Sequence, residues 1–198
     1  MEFDRIYAEV DLGRIEENME AMKEHLRPGT KMYGVVKTDA YGHGAVPVAR
    51  TIDRFVCGYA VATVDEGLKL RRHGIEKEIL SLGPVSASRY QECLENDISL
   101  PVFEYRRAKE LSDAAAAEGK TAKIHIAVDT GMSRIGLFPD EGSVETVKEI
   151  AELPALGIAG MFTHFARADE ADKTTAGEQY RRFHAFCDAV KAAGVEVP

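Results

Sequence analysis

The feature that most constrains the fold is a regular alternation of short apolar segments and amphipathic segments along the chain. The apolar segments predict strands at residues 6–10, 31–36, 59–62, 79–82, 98–103, 123–128 and 157–163. The amphipathic segments predict helices at residues 12–26, 43–55, 64–73, 86–94, 106–118, 143–152 and 177–193. Strands that alternate with helices in this way are typical of βα units, so the sequence predicts an α/β fold with a parallel sheet.

Two parallel architectures fit this alternation, and the polar residues that follow the strands distinguish them. A doubly wound sheet often carries a glycine-rich phosphate turn of the form GxGxxG, which the sequence lacks. A (β/α)8 barrel places polar side chains after many strands, as seen here at Lys37 and Asp39, Thr63 and Asp65, Asp129 and Arg134, and His164. A whole barrel needs about 250 residues, and six helix-linked strands follow the first one. We therefore expect a TIM-type barrel truncated after about six βα units, with residues 1–10 as a separate N-terminal strand and 11–198 as the barrel.

Composition argues against several classes of function. The 198 residues carry a net charge of −8 and no run of lysine and arginine, which argues against nucleic acid or an anionic membrane as a partner. No apolar stretch approaches the roughly 18 residues of a membrane span, and the N-terminus lacks a signal-peptide pattern. The cysteines Cys57, Cys93 and Cys187 are far apart, so we expect reduced thiols, a cytoplasmic protein and no metal site.

The segment VVKTDAYGHGAVPVAR, residues 35–50, places a lysine at the end of an apolar strand. A lysine that is partly desolvated has a lowered pKa, and its neutral amine can act as a nucleophile or base. The alternative is an ordinary lysine that extends its ammonium to solvent at a strand end. Tyr41 and His43 fit a loop equally well, and Asp39 fits a cap for the following helix.

Four further segments, together with residues 35–50, resemble the alanine racemase family. They are YAEVDLGRIEENM near the N-terminus, YAVATVDEGLKLRRHGI, IHIAVDTGMSRIGL and MFTHFARADE. The resemblance runs in register along essentially the whole chain. It implies a pyridoxal phosphate enzyme, a racemase of a small amino acid, acting as a homodimer and supplying D-alanine for cell-wall precursors.

The resemblance implies a role for each candidate site residue. Lys37 would hold pyridoxal 5'-phosphate as an internal aldimine, which makes the cofactor an electron sink and the substrate Cα–H acidic. Lys37 would then be the catalytic base on one face. Tyr41 would pack near the cofactor, His164 would lie beside its ring, and Arg134 would bind the substrate carboxylate or the cofactor's phenolic oxygen.

Taken without the resemblance, two of these residues have ordinary explanations. Arg134 follows Asp129-Thr130-Gly131, where a solvated loop arginine is common. His164 follows an apolar run and fits a structural histidine that is satisfied by hydrogen bonds.

The sequence departs from the family pattern in two respects. Many members carry a lysine, often carbamylated, where this chain has Ala127, so an anion or water is expected beside Arg134 instead. The family's opposing base is a tyrosine in a C-terminal β-domain, which would lie after residue 198. The isolated chain is therefore expected to be inactive.

Three functions remain open at this point. The first is the N-terminal part of an alanine racemase that interconverts L- and D-alanine. The second is a racemase of another small amino acid such as serine. The third is a non-catalytic pyridoxal phosphate-binding barrel.

Overall fold

A computed structural model of the chain describes residues 6–198. Six strands are present: β1 (Tyr33–Val35), β2 (Gly58–Val61), β3 (Glu78–Ser81), β4 (Ile98–Val102), β5 (Ala122–Ala127) and β6 (Leu156–Phe162). The helices are α1 (Leu12–Glu24), α2 (Lys37–Tyr41), α3 (Ala45–Ile52), α4 (Val64–Arg72), α5 (Tyr90–Glu95), α6 (Tyr105–Ala117), α7 (Glu141–Ala151) and α8 (Thr174–Ala192). The strand order in the sheet follows the chain, β1-β2-β3-β4-β5-β6. The predicted alternation of strands and helices is confirmed.

The chain divides into two compact units, Met1–Leu80 and Ser81–Pro198. In the first unit, β1 pairs with β2 in parallel, with Gly34 opposite Tyr59. A Cβ atom at Gly34 would lie 2.7 Å from the Ile52 side chain and 3.2 Å from the Tyr59 ring. The missing side chain therefore lets α3 and the buried Tyr59 pack closely against β1.

In the second unit β5 pairs in parallel with β4 on one side and β6 on the other, with a register shift between Ile124 and His125 in the β5–β6 ladder. All five residues of β4 are buried, as expected for a strand covered on both faces. In β6 only Gly160 is fully buried, and the other six residues are partly exposed. Helix α6 buries one face, which consists of Ala108, Leu111, Ser112 and Ala115.

Several element boundaries differ from the sequence prediction. The separate N-terminal segment was predicted at 1–10, and residues 1–5 lie outside the described residues. The strand predicted at 6–10 is absent, because these residues have no strand assignment. A strand is defined by ladder hydrogen bonds to a neighbouring strand, and residues 6–10 take part in no such ladder within the described range. The helix predicted at 43–55 is shorter, because a turn precedes α3 and its last residues, Asp53–Phe55, form a 3-10 turn. Within residues 6–198, no helix is both long and apolar enough to cross a membrane.

Candidate active site

Lys37 is separated from the end of β1 by one residue, the buried Val36. The lysine is half-buried, and its Nζ atom lies 5.9 Å from the centroid of the Tyr41 ring. The Tyr41 side chain is 61% exposed. The structure therefore places the lysine amine near the tyrosine ring. This is possible because the chain between the two residues folds back in a turn.

The intervening chain is a left-handed turn, which forms α2. Four consecutive residues, Thr38, Asp39, Ala40 and Tyr41, have φ between 52° and 55°. This conformation costs roughly 1–2 kcal/mol for each residue other than glycine. Backbone hydrogen bonds offset part of the cost: the Ala40 amide donates to the Val36 carbonyl at 2.9 Å, and the Gly42 amide donates to the Thr38 carbonyl at 3.1 Å.

Glu66 stabilises this turn from the next βα unit. One of its carboxylate oxygens accepts a hydrogen bond from the Thr38 amide at 2.7 Å, and the other accepts from the Ala62 amide at 2.7 Å. Thr63 and Glu66 also form a capping box at the start of α4. A capping-box glutamate normally satisfies only its own helix. Here it also fixes the backbone immediately after Lys37.

Asp39 satisfies the first amide of α3, which agrees with the predicted structural role, although the N-cap position itself is Gly44. Its carboxylate accepts a hydrogen bond from the Ala45 amide at 2.9 Å, and it pairs with the Lys69 ammonium at 2.7 Å. The Ala45 amide and the Lys69 ammonium hold the pKa of Asp39 below its ordinary value. The charged form of Asp39 is therefore a structural part of the turn.

In the second unit, residues 129–136 form a loop that is closed at its base. The Asp129 amide donates to the Leu137 carbonyl at 2.8 Å, and the Leu137 amide donates to the Ala127 carbonyl at 2.9 Å. Asp129 also accepts hydrogen bonds from the Gly131 and Ser133 amides, at 3.0 and 2.9 Å. At Gly136, φ is 126° and an added Cβ would lie 2.4 Å from the Asp129 amide nitrogen, so only glycine fits there.

This loop presents Arg134 to solvent. Within residues 6–198, the Arg134 guanidinium has no hydrogen-bond or ion-pair partner. Ala127, at the end of β5, is 1% exposed, so its position lies within the packed interior. The expected anion or water beside Arg134 stays a prediction.

His164 follows β6 and is exposed. Its backbone carbonyl accepts a hydrogen bond from the side chain of Gln179 at 3.1 Å. Thr163, the preceding residue, contacts Thr130 through a hydroxyl–hydroxyl hydrogen bond of 2.8 Å. The segments that carry Arg134 and His164 are therefore joined to each other through side chains that sequence reasoning did not single out.

Sequence reasoning missed two residues: Glu66, which bonds the turn after Lys37, and Gln179, which bonds the segments that carry Arg134 and His164. For Glu66 a signal was present, because the sequence Thr63-Val64-Asp65-Glu66 has the spacing of a capping box. Its second contact, with Thr38, depends on tertiary packing. Gln179 lies in the middle of an amphipathic helix, and nothing local distinguishes it from a surface glutamine.

Residues 10–198 match the family described as alanine racemase, N-terminal domain. The alanine racemase of Clostridium novyi is 45% identical over 193 residues, which are 97% of this chain and 50% of that protein. Among solved structures, an alanine racemase of Clostridium difficile superposes with a TM-score of 0.91 at 36% identity, covering 94% of this chain and 49% of that one. A histidine racemase of Leuconostoc mesenteroides superposes with a TM-score of 0.80 at 27% identity, covering 87% of this chain and 46% of that one.

The chain thus spans about half the length of the curated relatives it matches. Together with the six-stranded α/β sheet, the similarity to solved racemases confirms the predicted fold class, a TIM-type barrel truncated after about six βα units.

Proposed function

Because this chain belongs to the alanine racemase N-terminal domain family, we propose that it is the N-terminal part of a racemase that interconverts L- and D-alanine. In this proposal Lys37 holds pyridoxal 5'-phosphate and acts as a base. The observation that carries it is the position of Lys37, which follows the buried Val36 at the start of a hydrogen-bonded left-handed turn, with its amine 5.9 Å from the exposed Tyr41 ring.

The residues present fit pyridoxal phosphate. A primary amine is the group that attaches covalently to the cofactor's aldehyde, and Lys37 supplies one that is half-buried yet reachable. The exposed face of Tyr41, 5.9 Å from that amine, offers an aromatic surface for a planar ring. When bound, the cofactor acts as an electron sink that makes the Cα–H bond of an attached amino acid acidic.

The chain's own residues then have separate tasks. The Lys37 amine accepts or returns the Cα proton on one face of the substrate. The Arg134 guanidinium binds the substrate carboxylate or the phenolic oxygen of the cofactor, because its planar fork suits either oxyanion. Tyr41 and His164 pack against the cofactor and orient it. Racemisation also needs a proton donor on the opposite face of the substrate. We assign that group to the part of each relative's sequence that this chain does not cover.

A small amino acid is the proposed substrate. A solved alanine racemase from Bacillus anthracis, 38% identical to this chain, contains bound L-Ala-P, and one from Clostridium difficile is a complex with cycloserine. The proposal includes a homodimeric, cytoplasmic enzyme that supplies D-alanine for cell-wall precursors. A second candidate is a racemase of another amino acid, since the histidine racemase of Leuconostoc mesenteroides shares the fold.

The test is racemisation by the full-length racemase, meaning the protein in which this chain is followed by the rest of the relatives' length. We expect L-alanine to be converted to D-alanine, and Lys37→Arg to lower kcat by about 10²–10⁴-fold because the base is lost. Lys31→Arg, which changes an exposed lysine six positions earlier, is the matched control and should retain activity. Full turnover by Lys37→Arg would contradict the proposal, and conversion of another amino acid but not alanine would favour the second candidate.

A further inference from the structure

Gln179 is the most completely buried amide side chain of the second unit, with 1% of its surface exposed. Gln179 lies on α8. The hydrogen-bond partners of its side-chain amide all belong to two loops. These are the Arg134 loop, residues 129–136, and the His164 segment, residues 163–168. A buried amide in the middle of an amphipathic helix is costly unless all its polar atoms are paired.

Both polar atoms of the Gln179 amide have hydrogen-bond partners. One partner lies in the Arg134 loop and two lie in the His164 segment. Its Nε2 group donates to the Thr130 hydroxyl at 3.1 Å and to the His164 carbonyl at 3.1 Å. Its Oε1 atom accepts from the Ala166 amide at 2.9 Å. One side chain thus uses both donors and its acceptor to hold two loops at once.

Further contacts extend the same link. The Thr130 and Thr163 hydroxyls are 2.8 Å apart, so the two loops are also bonded directly to each other. Arg182, one turn later on α8, donates to the Thr130 carbonyl at 3.1 Å. Gly131 packs over the Gln179 side chain, and a Cβ there would lie 3.6 Å from the Gln179 Cγ atom.

We propose that Gln179 is a positioning residue, which fixes the backbone of the two loops so that Arg134 and His164 are presented in a set arrangement. This inference rests on the proposed function for its catalytic consequence. The His164 carbonyl is itself a partner of Gln179, and Arg134 lies only four residues after Thr130. Displacement of either loop by about 1 Å is enough to cost a catalytic site about 10²-fold in rate.

Two variants of similar side-chain size remove these hydrogen bonds completely or in part. Gln179→Met removes all three hydrogen bonds at similar volume. Gln179→Glu keeps an acceptor for the Ala166 amide but loses the donor to the His164 carbonyl. The matched control is Gln91→Met, because Gln91 is the other glutamine of the chain and lies exposed on α5, where it donates to Glu95.

The first measurement is backbone hydrogen exchange by mass spectrometry on the cofactor-free full-length protein. We expect both Gln179 variants to accelerate exchange at least about tenfold in residues 129–136 and 163–168, and not in β4 or β5. Gln91→Met should match the wild type. Unchanged exchange in both loops, or acceleration spread evenly over the second unit, would overturn the proposal.

The second measurement is steady-state racemisation well below the melting temperature of every variant. We expect kcat/KM for alanine to fall by about 10²-fold in both Gln179 variants. A purely structural role would lower the melting temperature while leaving kcat/KM unchanged, and that result would overturn the proposal. If the wild type racemises nothing, the proposed function fails, and the exchange experiment still decides whether Gln179 positions the loops.

Discussion

At the scale of single residues, two glycines and two carboxylates determine the local geometry around the candidate residues of each unit. Gly34 lets a helix approach β1, and Gly136 lets the Arg134 loop return over Asp129. Asp39 and Asp129 each accept two hydrogen bonds that shape a turn, from Ala45 and Lys69 in one case and from two loop amides in the other. These residues fix the backbone conformation next to the candidate catalytic residues.

Gly136→Ala should be strongly destabilising, because the new Cβ would clash with the Asp129 amide and the backbone holds φ at 126°. Strain of this kind costs roughly 1–3 kcal/mol, and the clash adds to it. Gly119→Ala is the control, since φ there is 62° and no atom lies within 4 Å of the added Cβ. In thermal denaturation of the full-length protein, Gly136→Ala should lower the melting temperature more than Gly119→Ala. An equal effect of the two would show that the close approach at Gly136 is unimportant.

At the scale of elements, the left-handed turn α2 is the unusual feature. Four residues other than glycine hold a conformation that is unfavourable for each of them. The turn therefore depends on contacts from outside, and Glu66 from α4 and Lys69 through Asp39 provide them. The neighbouring βα unit thus supports the element that carries Lys37, in addition to the hydrogen bonds within the turn and from Ala45.

Glu66→Gln should weaken this support. Glutamine has one acceptor oxygen in place of two, so its NH₂ group would face either the Thr38 or the Ala62 amide. A buried donor left without an acceptor costs about 1–3 kcal/mol, and the partial exposure of Glu66 places the expected loss at the lower end of this range. The control is Glu76→Gln, at an exposed glutamate of the same unit. Equal melting temperatures for both variants would argue against a role for Glu66 in holding the turn.

The sequence predicted the elements better than it predicted their connections. Apolar runs such as residues 98–103 and 123–128 located β4 and β5 closely, because strand burial depends on local composition. The turn at 37–41 was not foreseen, since only Asp39 among Thr38 to Tyr41 is of a type enriched in the left-handed region, and one such residue does not predict four in succession. Lys37 and Tyr41 were identified by resemblance and spacing, whereas Glu66 and Gln179 act through contacts with residues distant in sequence.

At the scale of the whole molecule, β6 is the last strand in the sheet order. Among residues 6–198 it pairs only with β5, and six of its seven residues are partly exposed, whereas β4 is buried throughout. A strand with an unpaired edge is a template for pairing with another chain. The isolated 198-residue chain is therefore expected to associate with itself.

Ile158→Lys should reduce that association, because a charge on an edge strand opposes pairing with a second copy. Ala116→Lys is the matched control, since it adds the same charge at an exposed position of α6. Sedimentation velocity over a range of concentrations should show oligomers for the isolated chain and for Ala116→Lys, and fewer for Ile158→Lys. A monomer at every concentration for all three proteins would refute the expectation.

The central claim is that Lys37 is the residue that holds pyridoxal phosphate, and borohydride reduction followed by peptide mapping tests it most directly. The full-length protein is incubated with the cofactor, reduced and digested, and the modified peptide is sequenced by mass spectrometry. We predict a single stoichiometric adduct on Lys37, absent from Lys37→Arg and retained in Lys31→Arg. An adduct mainly on another lysine, or none while the wild type still racemises alanine, would contradict the claim.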